Sequence, residues 1–205
     1  MIEKLIVFVE EESVEAALQF ILPKLLPESD LQFIRFQGKA ALFRNLLNRL
    51  RGLKAWLPGD WLLLVLVDRD CDDCRQLKER LESIAEQAGL ITKSAVADGS
   101  RFQVVNRIVV EELESWFFGD WDAMQRVYPR VPRTIPSKQQ YRDPDAVAGG
   151  TWEALERILQ RYGYFESGLR KIELARNVSP HMEPGRNTSR SFQAFREAIM
   201  TASAL

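Results

Sequence analysis

Residues Leu62–Cys74 read LLLVLVDRDCDDC, and this stretch leaves little freedom for the rest of the fold. From Leu62 to Val67 no position is polar. Such a run suits a strand buried on both faces, as in the centre of a parallel sheet. It then breaks at once into Asp68, Asp70, Asp72 and Asp73. In open α/β sheets ligands bind beyond the carboxyl ends of the strands. The strand therefore delivers Asp68 and Asp70 to the place where chemistry is expected. Two carboxylates one residue apart repel each other unless a cation lies between them. Hard oxygen ligands at such an edge suit Mg²⁺ or Mn²⁺. The competing reading is that Asp70, Asp72 and Asp73 cap the next helix. One residue serves both tasks poorly, so the cap is assigned to Asp72 or Asp73 and the metal to Asp68 and Asp70.

Around this strand the chain alternates between strand and helix patterns. Leu5–Val9 is a first buried strand, ending in Glu10, Glu11 and Glu12, with Ser13 read as a helix cap. A helix follows from Glu15 to Leu26 and stops at Pro27. Leu31–Gln37 alternates as a second strand. Gly38 and Lys39 open a helix over residues 40–53, with Leu42, Leu46 and Leu50 on its apolar side. A helix over residues 73–89 and a strand over Val104–Val110 complete a βαβαβαβ order. That order predicts a three-layer, mostly parallel, Rossmann-like α/β core over residues 1–120. Residues 121–205 read as a loop-rich and helical appendage packed on it. Its helices are expected near residue 121, at Trp152–Tyr162, Gly168–Ala175 and Phe192–Ala202, with a Pro-rich stretch between the first two.

Charge excludes little. The chain has 28 basic and 29 acidic residues and a net charge of -1, so overall charge offers no argument for nucleic-acid binding. A local basic face remains open. Cys71 and Cys74, alone in an acidic turn, do not make a disulfide framework, which fits a reduced, cytoplasmic setting. No second cysteine pair exists to complete a structural zinc site. The first residues lack a signal-peptide pattern, and no apolar run is long enough for a membrane span.

Three strand ends carry acids: Glu10 to Glu12, Asp68 with Asp70, and Glu111, Glu112 and Glu114. If the strands are neighbours, all three groups meet along one sheet edge, a site for one or two divalent cations. Two metals about 3.5–4 Å apart can clamp both oxygens of a phosphoryl transfer. A neighbouring glutamate can act as general acid or base. The plainer reading is three separate helix starts, each acidic because of the helix dipole.

A strand ending in Glu followed by a strand ending in Asp-x-Asp resembles the Toprim fold of topoisomerases, bacterial primases and OLD-type nucleases. More closely, the chain is similar to a Toprim-like family catalogued as domain of unknown function 4276. The residues that carry this are Val9-Glu10, Phe36 to Lys39, Val65 to Asp70 with Asp73-Cys74, and Glu111 to Phe117. Further along they are Lys138, Tyr141 to Asp145, Pro180-His181 and Asn187 to Phe192. The resemblance implies Glu10 as general acid or base and Asp68 and Asp70 as Mg²⁺ ligands. Glu11 stands where many Toprim sequences have Gly, which leaves open whether Glu10 or Glu11 points into the site. It also implies an ATPase partner and a setting in mobile-element or phage defence.

Other residues join with less specificity. Lys39, at a helix start after Gly38, could meet phosphate, although the P-loop spacing is absent. His181, the single histidine, is a candidate acid, base or ligand. Arg186, Ser189 and Arg190, and a strip of Arg133, Lys138 and Arg142, could meet phosphate oxygens. Trp116, Phe117, Phe118 and Trp121 read as core rather than as a base-stacking platform. The expected function is therefore a Mg²⁺- or Mn²⁺-dependent nuclease on DNA or RNA. Its catalytic residues would be Glu10, Asp68, Asp70 and His181. Its metal ligands would be Glu10, Glu11, Asp68, Asp70 and Glu114, and its phosphate contacts Lys39, Lys138 and Arg190. The alternatives are a non-catalytic Toprim scaffold that docks an ATPase partner, and a primase-like nucleotidyl transferase, for which no template-binding zinc module is present.

Overall fold

The apolar run at residues 62–67 lies where its composition demands, inside a parallel sheet. In the computed structural model, which describes residues 2–97 and 99–204, the strands are β1 (Lys4–Val9), β2 (Asp30–Arg35), β3 (Trp61–Asp68) and β4 (Val104–Val109). They pair in the order β2-β1-β3-β4, every pair parallel. All four carboxyl ends therefore share one edge. The register sets Val9 beside Arg35 and Leu66, and Asp68 beside Val109.

Both sheet faces are covered, which explains why β1 and β3 have no polar side. The helices are α1 (Glu12–Leu25), α2 (Lys39–Lys54), α3 (Cys74–Gln87), α4 (Glu114–Gly119), α5 (Trp121–Val127), α6 (Thr151–Arg161), α7 (Lys171–Val178) and α8 (Arg190–Ser203). Ile6, Phe8, Leu63, Val65 and Val67 pack on α2 and α3, through Leu42, Leu46, Leu77 and Leu81. Leu5, Val7, Val9, Leu64 and Leu66 face the other way, in a cluster that runs through α1 to α8. Each such side chain, fully buried, contributes about 1.5–3 kcal/mol. The result is the three-layer, Toprim-like α/β arrangement that the strand order implied. Among the described residues no helix is long and apolar enough to cross a membrane.

One local expectation is corrected. Helix α1 begins at Glu12, not Glu15, because only Glu10 and Glu11 link it to β1. Its N-cap is Glu11, and Ser13 sits inside the first turn with its hydroxyl donating to Glu11 Oε2. The aromatic group forms α4, a helix of 6 residues that are all buried. The Trp116 ring centroid lies 4.9 Å from that of Phe192 and 5.0 Å from that of Phe195, so this group is core between β4 and α8.

Candidate functional site

At the carboxyl edge of the sheet, three carboxyl groups from three elements are buried together. Asp68 ends β3 and is 6% exposed, Glu10 follows β1 at 5%, and Glu114 opens α4 at 1%. The Asp68 backbone N–H donates to Glu10 Oε1 at 2.6 Å. Asp68 Oδ1 and Glu114 Oε1 are buried without a hydrogen-bond partner. Burial disfavours the charged form of each group. It lifts Asp68 well above the usual carboxylate range, and the charges of Glu10 and Glu114 lift it further. Burial raises Glu10 to about 7 against the pull of the Asp68 N–H and Lys39. Glu114 also rises to about 7 through burial, opposed by Lys171.

Asp70 pairs with a lysine at the edge of this group, close enough for its charge to raise Glu10 and Asp68. Its φ of 50° is a left-handed conformation that Asp tolerates better than most residues. Its carboxylate meets Lys39 Nζ at 2.7 Å. Lys39 also donates to Asp72 Oδ2 at 2.8 Å and to the Arg69 carbonyl at 3.1 Å. Burial would lower the Lys39 ammonium, but its bonds to Asp70 and Asp72 outweigh burial and hold it above the usual range. Asp73 is the helix cap: its Oδ1 accepts from the Gln76 N–H at 2.9 Å. Opposite Asp70, Glu111 has a φ of 64° and pairs with Arg69. Two adjacent strand ends thus carry left-handed residues, a form of stored strain that clusters at functional sites.

The second half of the chain supplies a cation that the sequence reading missed. Lys171, the first residue of α7, lies 3.3 Å from Glu112 Oε1 and 4.0 Å from Glu114 Oε2. Nothing in its local sequence separates it from an ordinary helix start. Only the packing of α7 against α1 carries it to the strand ends. Glu112 Oε2 in turn accepts from Thr151 Oγ1 and the Trp152 N–H, which pins the start of α6 to the same edge. Glu10, Glu11, Arg35, Lys171 and Arg176 line a cleft of about 820 Å³. Glu12 and Glu173 line it too, so acidic and basic groups alternate around it.

The donors are hard oxygens, and two of them are orphaned in the interior, which suits a divalent cation. Among the described residues no three His, Cys, Asp or Glu side chains yet form a ready ligand set. The five acids Glu10, Glu11, Asp68, Asp70 and Glu114 do not converge on one point, since Lys39 holds Asp70. Cys71 and Cys74 are free and exposed.

Three expected residues lie elsewhere. His181 follows the carbonyls of Ser179 and Pro180, which bind Lys24 near the far end of α1. Lys24 is twelve residues beyond Glu12, about 18 Å along the helix axis. The reason is topological: the turn Ser179–His181 packs against α1, at the end away from the carboxyl edge. Arg190 pairs with Asp143 at 2.5 Å and lines another cavity with Cys74, Lys78 and Arg107, beside the outer edge of β4. Lys138 lies in a cavity with Arg157 and Arg161. Arg186 forks onto buried Asp120, at 2.7 and 3.0 Å, and Ser189 caps α8, so both are structural ties.

The sequence model described as "Domain of unknown function (DUF4276)" matches residues 9–200. The chain belongs to the DUF4276 family. Among solved structures, it is similar to the C-terminal region of the Burkholderia pseudomallei OLD protein, with a TM-score of 0.50 and 18% identity. That likeness covers 98% of this chain and 99% of the other, and it concerns the fold. No curated protein matches. The DUF4276 match spans both the strand-end acids and Lys171.

Proposed function

We propose that this DUF4276 chain is a Toprim-type nuclease that hydrolyses phosphodiesters of DNA or RNA with Mg²⁺ or Mn²⁺. The observation that carries this reading is the buried meeting of Glu10, Asp68 and Glu114, two of them with an orphaned oxygen. A hydrophobic core gains nothing from three desolvated carboxyls, and a bound cation relieves all three. Asp68 and Glu114 would hold the cation, with Glu11 at the rim. Bound there, it would supply positive charge to a phosphoryl oxygen.

The chain's own groups do the rest. Glu10, poised near neutral pH, takes a proton from an attacking water or returns one to the leaving oxygen. Lys39 and Lys171 face incoming phosphates. A phosphate that binds Lys39 would release Asp70 from its ion pair. The near-complete match to a C-terminal region of a longer protein supports a partner module, and we assign that role to an ATPase in mobile-element or phage defence.

A second reading has one observation in its favour. Lys39 already neutralises Asp70 and Asp72, as expected of a scaffold that needs no metal. Calorimetric titration of Mn²⁺ into wild type and Asp68→Asn, with a parallel digestion of labelled single- and double-stranded oligonucleotides, separates the two. Saturable binding and cleavage, both lost in Asp68→Asn, are expected. Neither binding nor cleavage in wild type, with or without the ATPase, would overturn the nuclease reading and leave the scaffold.

A further inference from the structure

Around the strand-end site Arg35, Lys39 and Lys171 each hold a carboxylate, and farther away so do Arg186 and Arg190. A second cavity, of about 240 Å³, breaks this pattern. Lys138, Arg157 and Arg161 line it together with Tyr141, Tyr162 and Ile158. Among the described residues, none of these three cations is held in an ion pair, and no acid lines the cavity. The arrangement is not one helix's surface pattern. Arg157 and Arg161 are one turn apart on α6, whereas Lys138 arrives from the Pro-rich stretch, between two short 3-10 turns, Ile135–Ser137 and Gln139–Tyr141. Arg161 near the carboxyl end of α6 suits the helix dipole, but the dipole explains neither Arg157 nor Lys138.

The floor is rigid. The buried Tyr141 ring lies 5.5 Å from Phe118, centroid to centroid, in a stacked arrangement. Phe118 stacks in turn on Trp121 at 5.6 Å. The two short turns that carry Lys138 and Tyr141 are thus tied to the core. Three exposed cations line one cavity with no acid among its lining residues, which favours an anion there. Arg forks and a Lys point charge suit phosphate oxygens.

We infer that the Lys138–Arg157–Arg161 cavity is an anchoring site for the phosphate backbone of a nucleic-acid strand whose other end lies in the strand-end cleft. The choice of nucleic acid rests on the nuclease reading; the anionic chemistry of the cavity does not. Helix α6 supplies the link between the two places. Its first residue, Thr151, touches Glu112 at the sheet edge, and Arg157 and Arg161 follow six and ten residues later. At the α-helical rise these lie about 9 and 15 Å along the axis. Phosphates on one strand of a duplex advance about 3.4 Å per nucleotide along its axis, so the anchor grips the strand some three to five nucleotides from the acidic cluster.

The test is fluorescence anisotropy of labelled oligonucleotides of increasing length, single- and double-stranded, in EDTA so that no cleavage occurs. The proteins are wild type, Arg157→Glu/Arg161→Glu, and Arg49→Glu/Arg196→Glu as a control with the same change of charge. Each is checked for an unchanged melting temperature. Wild type is expected to bind strands longer than about five nucleotides and to lose affinity with salt. The Arg157/Arg161 pair should weaken binding about tenfold or more and flatten the log–log salt slope by about 1.4 on single strands. Excess inorganic phosphate should not displace the strand at concentrations where a competing oligonucleotide does. Equal losses in both double variants, or none in the first, would overturn the inference. So would displacement by inorganic phosphate as readily as by oligonucleotide. Loss of binding in the first variant alone would support the anchor even if no protein in the series ever cleaves. Cleavage with unchanged binding would sink the anchor and leave the nuclease reading standing.

Discussion

The backbone N–H of Asp68 donates to Glu10 Oε1 at 2.6 Å, so the ends of β1 and β3 are joined through one carboxylate. The bond favours the ionised Glu10, yet burial outweighs it and the group sits at about 7. Its ordinary value is 4.5, so between these limits the folded protein holds a proton that the unfolded chain releases. The contribution to stability is then complete below about pH 4.5, falls as pH rises and is lost above about pH 7. Glu114 follows the same course. A shift of this size corresponds to about 3 kcal/mol for one group. In EDTA, thermal unfolding should therefore occur at a lower temperature at pH 7.5 than at pH 5.5. Glu10→Gln should reduce that difference. Mn²⁺ at pH 7.5 should restore the lost stability in wild type and not in Asp68→Asn. A melting temperature that rises steadily from pH 5.5 to 7.5 without metal would contradict the buried-carboxyl account.

Asp68 and Asp70 are two residues apart but differ in environment, and their amide variants should differ too. Asp68 is buried with an unpartnered oxygen, whereas the Asp70 side chain is 52% exposed and rests on Lys39. Asp68→Asn should abolish Mn²⁺ binding by calorimetry. Asp70→Asn should leave binding by the free protein within a few-fold of wild type, and cost no more than about 1 kcal/mol in urea unfolding, as exposed ion pairs contribute little. If the two variants lose metal equally, Asp70 must leave Lys39 in the free protein, and its observed pairing is not the working one.

The strands, their order of use and the burial of the Trp116–Phe118 group were legible because apolar continuity and β–α alternation are local signals. The acidic ends of β1 and β3 could be placed on one edge for the same reason, since parallel strands share a direction. What happens at that edge was not local. Whether Asp70 joins Asp68 depends on a left-handed turn and on Lys39 reaching across from α2. Lys171 lies a hundred residues from Asp68 in the chain and nothing around it marks it. His181 and Arg190 are near Pro and Ser-rich stretches that look functional, but the packing of their turn on α1 places the first and the packing of α8 on β4 the second. Aromatic α4 has no amphipathic period, so its helical state follows from burial on every side.

Asp120 and Arg186 hold the segment before α8 against α5. Asp120 has no exposed side chain, and besides the Arg186 fork it caps α5 at the Ala123 N–H and accepts from the Glu183 N–H at 2.7 Å. Asp120→Ala removes all of these at once and leaves buried donors unpaired. It should cost about 3 kcal/mol or more in urea unfolding. Arg186→Ala should cost less, because the arginine side chain is 39% exposed and Asp120 keeps its two backbone donors. The reverse order would mean that the arginine stem, not the carboxylate, carries the contact.

Gly119 closes the same joint from the other side. Its carbonyl accepts from the Thr188 N–H at 2.9 Å, and Asn187 reaches past it to donate to the Trp116 carbonyl at 2.8 Å. A Cβ at Gly119 would stand 2.9 Å from the Ser189 nitrogen and would overlap the Asn187 amide. The backbone of Ser189 cannot give way without loosening the cap of α8. Gly119→Ala should therefore destabilise by about 1–3 kcal/mol, the range for overpacking a filled site. Asn187→Ala alone should also destabilise, by stranding the Trp116 carbonyl. In the double variant the methyl group gains the space the amide vacates, so the two losses should sum to more than the double variant's loss. Strict additivity in urea unfolding would show that the crowding is against the Ser189 backbone and not against the Asn187 side chain.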